Sequence, residues 1–274
     1  MRDTTVLVLG ARGSTGRRVL ARLRDAGRPV RPASRRTAVP FDWHDRGTWE
    51  PAVAGTERAY LMLPHGLPLP PDFVPCVVAA GVRRLVLLSS RAVEEMGDDR
   101  LTEAERMVRD AEAEWTVVRA DWFNQNFDEG VFRRAVLDGT LALPLGECRQ
   151  TFVDADDIAA VAAAALTEEG HAGRTYEVTG PDALSFADAL AAIGRATGLP
   201  QVFHGDKDTY RAGRLAAGQP PGAVEREIDA YTSLAALGDA RPTDTVRRVT
   251  GRRPKTFGTY VGEAAASGAW APTR

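Results

Sequence analysis

The chain has few residues that could form disulfides or bind metal ions. Among its 274 residues are two cysteines, Cys76 and Cys148, and four histidines. The cysteines are far apart, and neither is spaced from another Cys or His as the ligands of a zinc site are. Two distant cysteines are typical of free, buried thiols in intracellular proteins. We therefore predict neither a disulfide nor a metal site.

A strong charge of one sign is also lacking. Lysine occurs only at Lys207 and Lys255, so nearly all basic residues are arginines, yet the formal net charge is −2. This balance gives no basic field that would attract nucleic acid or an anionic membrane. We therefore predict a small-molecule substrate as the partner, without nucleic acid or membrane, and leave a homodimer open. No apolar signal segment precedes the first predicted strand, so we expect a cytoplasmic protein.

Short apolar runs alternate with helical patterns in the first half of the chain. The run at 85–88 is apolar without interruption, as in a strand that is covered on both faces. Such alternation is typical of a doubly wound parallel sheet. The predicted strands are 6–9, 29–34, 38–41, 58–63, 85–88 and 115–119, and the predicted helices between them include 73–80 and 102–113.

Helical patterns dominate the second half, where prolines and glycines separate them. The short segment Tyr176-Glu177-Val178 predicts a strand that returns to the sheet. The predicted helices are 155–167, 185–197, 208–217, 223–237 and 257–266. We therefore predict an α/β fold, a doubly wound parallel (Rossmann) sheet with a smaller, mostly helical C-terminal substrate lobe. We assign the sheet core to 1–120, with the returning strand near 175–179, and the interleaved lobe to 121–274.

Three glycines mark the turn between the first strand and the first helix. Their G-x-x-G-x-x-G spacing differs by one residue from the common dinucleotide fingerprint, and by itself it also fits an ordinary strand-to-helix turn. The flanking strand and helix favour phosphate binding, because the backbone can approach a pyrophosphate there and the helix offers it free N–H groups. The turn predicts a dinucleotide site that consists of Gly10, Arg12, Gly13, Ser14, Thr15 and Gly16.

Basic residues follow the second predicted strand, where the residue that distinguishes NAD from NADP is found. Ser34, Arg35 and Arg36 stand there, at about the expected distance of roughly 20 residues from the glycine turn. An acidic residue would bind the free 2′-hydroxyl of NAD, whereas arginine binds a 2′-phosphate through paired N–H bonds, and Arg12 could close on the same group. We predict NADP(H) as the cofactor. The alternative is that these arginines are solvated surface residues.

The carboxyl ends of the strands are where a doubly wound sheet binds its ligands. The fourth and fifth strands end in residues that could flank the cofactor, namely Leu63, Pro64, His65, Ser89 and Ser90. A serine hydroxyl there could polarise a carbonyl, or it could only satisfy backbone groups. His65 could donate a proton, or it could be an ordinary loop residue. We therefore name Ser89, Ser90 and His65 as catalytic candidates.

Aromatic and amide side chains follow the sixth strand. Trp122, Phe123, Asn126 and Phe127 are candidates for a wall that binds a conjugated substrate. Clustered aromatic residues also occur simply as core, which is the alternative for these four.

Several segments together resemble the NmrA-like branch of the atypical short-chain dehydrogenase/reductases. The resemblance covers nearly the whole chain, at 10–16, 33–35, 41–43, 81–90, 115–119, 122–127, 152–159, 176–181 and 250–257. The segments 33–35, 41–43 and 48–49 are most similar to festuclavine and agroclavine dehydrogenases, which reduce an iminium, and quinone and triphenylmethane-dye reductases are similar as well. The resemblance implies an NADPH-dependent reductase of a small, flat, conjugated substrate, with 122–126 beside the nicotinamide.

The Tyr-x-x-x-Lys pair of ketone-reducing short-chain dehydrogenases is absent, because none of the five tyrosines is followed by lysine four residues later. The helix that would carry the pair contains Glu105, which matches a glutamate common in the relatives. Hydride transfer to an iminium or quinone needs little help from a positioned acid. We therefore predict a reductase of an iminium, quinone or enone in specialised metabolism or detoxification. The alternatives are an NADP(H)-binding redox sensor that regulates a protein partner, and an isomerase or dehydratase.

Overall fold

A parallel sheet of seven strands forms the centre of the molecule, and the predicted α/β class is confirmed. The computed structural model describes residues 4–271, so the outermost ends of the two predicted domains, 1–3 and 272–274, lie outside the described residues. The strands of this sheet are β1 Val6–Leu9, β2 Val30–Ser34, β3 Val39–Pro40, β4 Arg58–Leu61, β5 Arg84–Ser90, β6 Glu114–Ala120 and β8 Arg174–Val178. Two further strands, β7 Thr140–Ala142 and β9 Val202–His204, form a separate pair.

Helices cover both faces of the sheet and form most of the second half of the chain. They are α1 Ser14–Asp25, α2 Trp49–Val53, α3 Phe73–Ala79, α4 Asp99–Arg109, α5 Arg133–Asp138, α6 Ala155–Thr167, α7 Phe186–Thr197, α8 Lys207–Ala216, α9 Pro221–Ala236, α10 Thr245–Thr250 and α11 Phe257–Ala266. Within residues 4–271, no helix has the length and apolar character needed to cross a lipid bilayer.

The strand order determines where a ligand can bind. The seven strands lie in the order β3-β2-β1-β4-β5-β6-β8, and every neighbouring pair is parallel. The chain runs outward from β1 to β3 and then crosses to β4 on the other side of β1. This reversal opens a crevice at the carboxyl ends of β1 and β4, directly beside the glycine turn.

The predicted elements correspond closely to the observed ones, with two kinds of difference. Helix α4 begins at Asp99 rather than at residue 102, because the Asp98 carboxylate caps it by accepting from the Leu101 N–H. The small parallel pair of β7 and β9 and the short helices α2, α5 and α10 were not predicted. Segments of three to six residues are too short for a periodic hydrophobic pattern to identify them.

Three hydrophobic clusters hold these layers together. Two of them cover opposite faces of the sheet, one against α1 and α6 and the other against α2, α3 and α4. The third lies among the helices of the second half and contains most of the aromatic residues there. Strand β8 nevertheless pairs with β6 in the main sheet, as predicted for the returning segment. The domain boundary at 120/121 itself stays a prediction.

Candidate functional site

The glycine turn is packed so closely that side chains do not fit at two of its positions. Gly10 has a φ of +62°, a left-handed conformation that favours glycine, and a Cβ there would lie 2.4 Å from the Met62 sulfur. A Cβ on Gly16 would lie 2.2 Å from the Gly10 carbonyl oxygen, and the Gly13 N–H donates to the same oxygen at 2.8 Å. The backbone is therefore bare at the start of α1, where Gly13 brings no capping side chain. This geometry fits a pyrophosphate.

A cleft of about 990 Å³ opens beside this turn, at the crevice between β1 and β4. Buried Phe41 and Trp43 help to form its wall, and Asp42 is the one carboxylate among its lining residues. The cleft is lined by Gly10, Arg12, Gly13, Ser34, Arg35, Arg36, Phe41, Asp42, Trp43, His44, Met62, Pro64, His65, Gly66 and Leu67. The cleft thus brings together the glycine turn, the end of β2 and the end of β4, three segments that are far apart in the sequence.

Three arginines line this cleft with exposed side chains, namely Arg12, Arg35 and Arg36. None of the three forms a salt bridge within residues 4–271, whereas Arg17 and Arg18 in the first helix both pair with Glu129. Guanidinium groups without a protein partner are available to an anionic ligand. The arrangement fits a further phosphate group of the ligand, in addition to the pyrophosphate.

Glu129 lies at the start of α1, a contact that sequence reasoning missed. Its carboxylate accepts from the Ser14 hydroxyl at 3.0 Å, pairs with Arg18 at 2.8 Å and also contacts Arg17. Partial burial acts to raise the pKa of Glu129, but the hydrogen bonds from Arg18, Arg17 and Ser14 outweigh it and lower the pKa to about 2. The loop after β6 is thereby joined to the glycine turn by an ionised carboxylate.

The Glu129→Gln variant is expected to be less stable at neutral pH. Because folding lowers the pKa of Glu129 from its ordinary 4.5 to about 2, its stabilising effect is fully present above pH 4.5 and is lost as the pH falls toward 2. The contact is partly exposed, so we expect a loss of about 1 kcal/mol at pH 7 and almost none near pH 2. Urea unfolding at several pH values measures this difference. A Glu95→Gln control, at an exposed carboxylate, should be neutral, and a loss independent of pH would contradict the assignment.

The predicted catalytic serines lie at the end of β5 with their hydroxyls engaged by the protein. Ser89 is buried and donates to the Glu105 carboxylate at 2.6 Å, and Ser90 donates to the Arg91 carbonyl oxygen at 3.1 Å. These contacts correspond to the alternative of satisfied strand-end hydroxyls. His65 is exposed in the wall of the cleft. The catalytic roles of all three stay predictions.

Other predicted cofactor residues lie around the cleft rather than in its wall. Thr15 and Gly16 are buried in the first turn of α1, the Ser14 hydroxyl faces Glu129, and half-buried Leu63 packs against the cluster on the α3 face. Within residues 4–271, no group of three or more His, Cys, Asp or Glu side chains is placed to hold a metal ion.

The four residues predicted to form a substrate wall have different surroundings in the structure. Phe127 has an exposed fraction of 0% and lies among other aromatic rings of the third cluster, so its ring offers no surface to a substrate. Phe123 is half-buried and packs toward α6, opposite that cluster. Trp122 and Asn126 are also half-buried. Trp122 packs against the third cluster through Phe132 and Phe186, and its indole also stacks on Tyr231 from α9 at 6.3 Å between ring centroids.

Asn124 belongs to the segment 122–126 that the resemblance places beside the nicotinamide, although it was not one of the residues named for the substrate wall. It is fully buried in the turn after β6, and neither atom of its side-chain amide has a hydrogen-bond partner within residues 4–271. Its neighbour Gln125 is satisfied, since it donates to Asp154 at 3.1 Å and accepts from the Ala155 N–H at 2.8 Å. A buried amide without partners is costly, and such groups concentrate where a protein binds a ligand or water.

Several curated proteins align with nearly the whole chain. A (4-alkanoyl-5-oxo-2,5-dihydrofuran-3-yl)methyl phosphate reductase of Streptomyces griseus is 35% identical over 282 residues, which cover 95% of this chain and 98% of the relative. An NAD(P)H azoreductase of Xenophilus azovorans is 31% identical over 291 residues, with 96% and 99% covered. Festuclavine dehydrogenase of Aspergillus fumigatus is 28% identical over 277 residues, with 92% and 95% covered. No protein-family model matches the chain.

Solved structures show the same fold over the same length. An NADPH-dependent quinone oxidoreductase of Escherichia coli, solved in complex with NADPH, superposes with a TM-score of 0.80 at 21% identity, and the match covers 95% of this chain and 99% of that one. The resemblance found in the sequence motifs thus extends to the order and packing of the elements.

Proposed function

The chain belongs to the NmrA-like family of atypical short-chain dehydrogenase/reductases, and we propose that it is an NADPH-dependent reductase that transfers hydride to a small conjugated acceptor. One observation carries the proposal: the glycine turn at the start of α1 and three arginines that form no salt bridge within residues 4–271 line the same cleft. Relatives that are named as NAD(P)H- or NADPH-dependent reductases support it.

The residues of the cleft fit NADP(H) as the bound cofactor. The turn from Gly10 to Gly16 would hold the pyrophosphate, and Arg12, Arg35 and Arg36 would hold the 2′-phosphate. The cofactor supplies hydride when bound, and the protein's part is to position the acceptor and exclude water. The ends of β5 and β6 and the segment at 122–126 would form the acceptor side of the site.

An iminium, a quinone or an enone is the acceptor class that suits this chain. The chain has no Tyr-x-x-x-Lys pair, and such acceptors need less acid assistance than a simple ketone does. The 35% identical relative is named for a 5-oxo-2,5-dihydrofuran, and others are named for azo compounds and quinones. These names share conjugation rather than one functional group, which supports a flat, conjugated acceptor.

The test is NADPH oxidation, followed by absorbance at the reduced nicotinamide band, against a panel of quinones, enones and iminium compounds. A titration of the cofactor-free protein with NADPH accompanies it. We expect oxidation with at least one class of acceptor. Tight binding of NADPH without oxidation by any of them would overturn the reductase proposal and favour the redox sensor instead.

A double variant, Arg35→Ala with Arg36→Ala, is expected to lose the preference for NADPH. Each lost charge-assisted hydrogen bond to a phosphate costs enough that the dissociation constant for NADPH should rise about 100-fold, whereas that for NADH should change little. Calorimetry with both nucleotides measures this. Arg24→Ala, at the far end of α1, serves as the control and should bind NADPH normally. If the unaltered protein binds NADH and NADPH equally, the assignment of the 2′-phosphate site is wrong.

A further inference from the structure

Two half-exposed aromatic side chains form a stacked pair just beyond the carboxyl edge of the sheet. Trp122 follows β6 by two residues, and its ring lies 6.3 Å from that of Tyr231 with an angle of 18° between their planes. Ala92 follows the neighbouring strand β5 by two residues and packs against the same cluster. Because the ends of β5 and β6 are paired through Ser90 and Ala120, these side chains border one region of the edge.

Ala92 marks this region as unusual in its backbone as well. Its φ of 53° is the one positive value for a non-glycine residue within residues 4–271. Such strain costs free energy and is concentrated at functional sites. The strained turn after β5 and the stacked pair after β6 therefore point to the same part of the sheet's carboxyl edge as the surface that binds the acceptor. Of these side chains, Tyr231 carries a hydroxyl that could donate a proton.

Polar groups of α8 and α9 surround that phenol. The Tyr210 ring lies 5.7 Å from the Tyr231 ring, and the Tyr210 hydroxyl donates to Glu227 at 2.7 Å. Arg214 pairs with the same carboxylate at 3.0 Å. Burial raises the pKa of Tyr231, and the negative charge of Glu227 raises it further, so the phenol keeps its proton at neutral pH.

We infer that Tyr231 is the proton donor of the reductase, a role that rests on the proposed function. The bound cofactor would supply a hydride that forms a C–H bond on the acceptor, and the displaced π pair would move onto the conjugated oxygen. The Oη–H bond of Tyr231 breaks as that oxygen takes the proton, and water then reprotonates the phenolate. The acceptor is reduced by two electrons and gains one hydride and one proton.

The test is the Tyr231→Phe variant, which keeps the ring but loses the hydroxyl. With an enone as the acceptor, whose oxygen must take a proton, we expect kcat to fall about 100-fold, the range typical of a lost general acid. The residual rate should rise as the pH falls, because hydronium then supplies the proton. The KM for the enone and the dissociation constant of the enone from the cofactor-free protein, measured by tryptophan quenching, should stay within about twofold of the unaltered protein. Tyr176→Phe, whose hydroxyl pairs with His171, is the matched control and should retain full activity.

Other results would overturn the inference. A kcat within about threefold of that of the unaltered protein, or a fall in kcat/KM that comes from a raised KM alone, would show that Tyr231 acts by stacking and not as a proton donor. A lowered kcat whose pH profile matches that of the unaltered protein would show a structural effect. If none of the acceptors supports NADPH oxidation by the unaltered protein, the proposed function itself fails. That result differs from an active enzyme whose activity is unchanged by Tyr231→Phe.

Discussion

Replacement of Gly16 by alanine is expected to weaken NADPH binding and to destabilise the folded protein. The added Cβ would lie 2.2 Å from the carbonyl oxygen of Gly10 and 2.7 Å from its carbonyl carbon, and neither backbone atom can rotate away. The turn must open, which moves the N–H groups at the start of α1 away from the pyrophosphate. We expect the dissociation constant for NADPH to rise at least about tenfold, and overpacking of this kind to cost about 1–3 kcal/mol of stability.

Gly213→Ala is the control for the loss of glycine itself. Gly213 lies within α8, nothing lies within 4 Å of the position of its added Cβ, and alanine favours a helix there. The control should bind NADPH normally and be as stable as the parent or slightly more stable. Calorimetry and thermal unfolding of both variants separate the two effects. Normal NADPH affinity in a folded Gly16→Ala protein would contradict the phosphate site at this turn.

The sequence could predict the sheet and the glycine turn because both depend on local patterns. An uninterrupted apolar run such as 85–88 is typical of burial on both faces, and it forms part of the interior strand β5. The meeting of the glycine turn with Arg35 and Arg36 was predictable as well. It follows from the parallel pairing of β1 with β2, which brings their carboxyl ends together.

Contacts between distant segments could not be predicted in this way. Ser14 and Glu129 are 115 residues apart in the chain, and no spacing rule connects them. The same holds for the stacking of Trp122 on Tyr231, which depends on how α9 packs over the end of β6. Sequence reasoning also could not decide whether Phe127 is core or wall. That depends on which neighbours surround the ring, and they come from several separate segments.

Replacement of Glu105 by alanine is expected to be the most destabilising change on α4. Glu105 is 0% exposed, accepts from the Ser89 hydroxyl at 2.6 Å, and forms salt bridges with Arg109 and Arg119, each at 2.7 Å. Within residues 4–271, its loss leaves the Ser89 hydroxyl without its acceptor and leaves Arg119 with the exposed Glu94 as its carboxylate partner. Breaking a buried pair by removing one partner costs about 3–5 kcal/mol, and we expect a loss in this range.

Urea unfolding of Glu105→Ala and of Glu103→Ala compares the free energy lost with a buried carboxylate and the free energy lost with an exposed one on the same helix. Glu103 lies on the same helix, but its salt bridge with Arg106 at 2.6 Å is exposed, so its loss should change the stability little. Glu105→Gln keeps an acceptor for Ser89 and removes only the charge, so its stability should fall between the two. Because Ser89 ends β5 beside the predicted nicotinamide site, Glu105→Gln should also bind NADPH more weakly than Glu103→Ala does. Equal stability losses for the two alanine variants would show that the buried carboxylate does not organise the end of this strand.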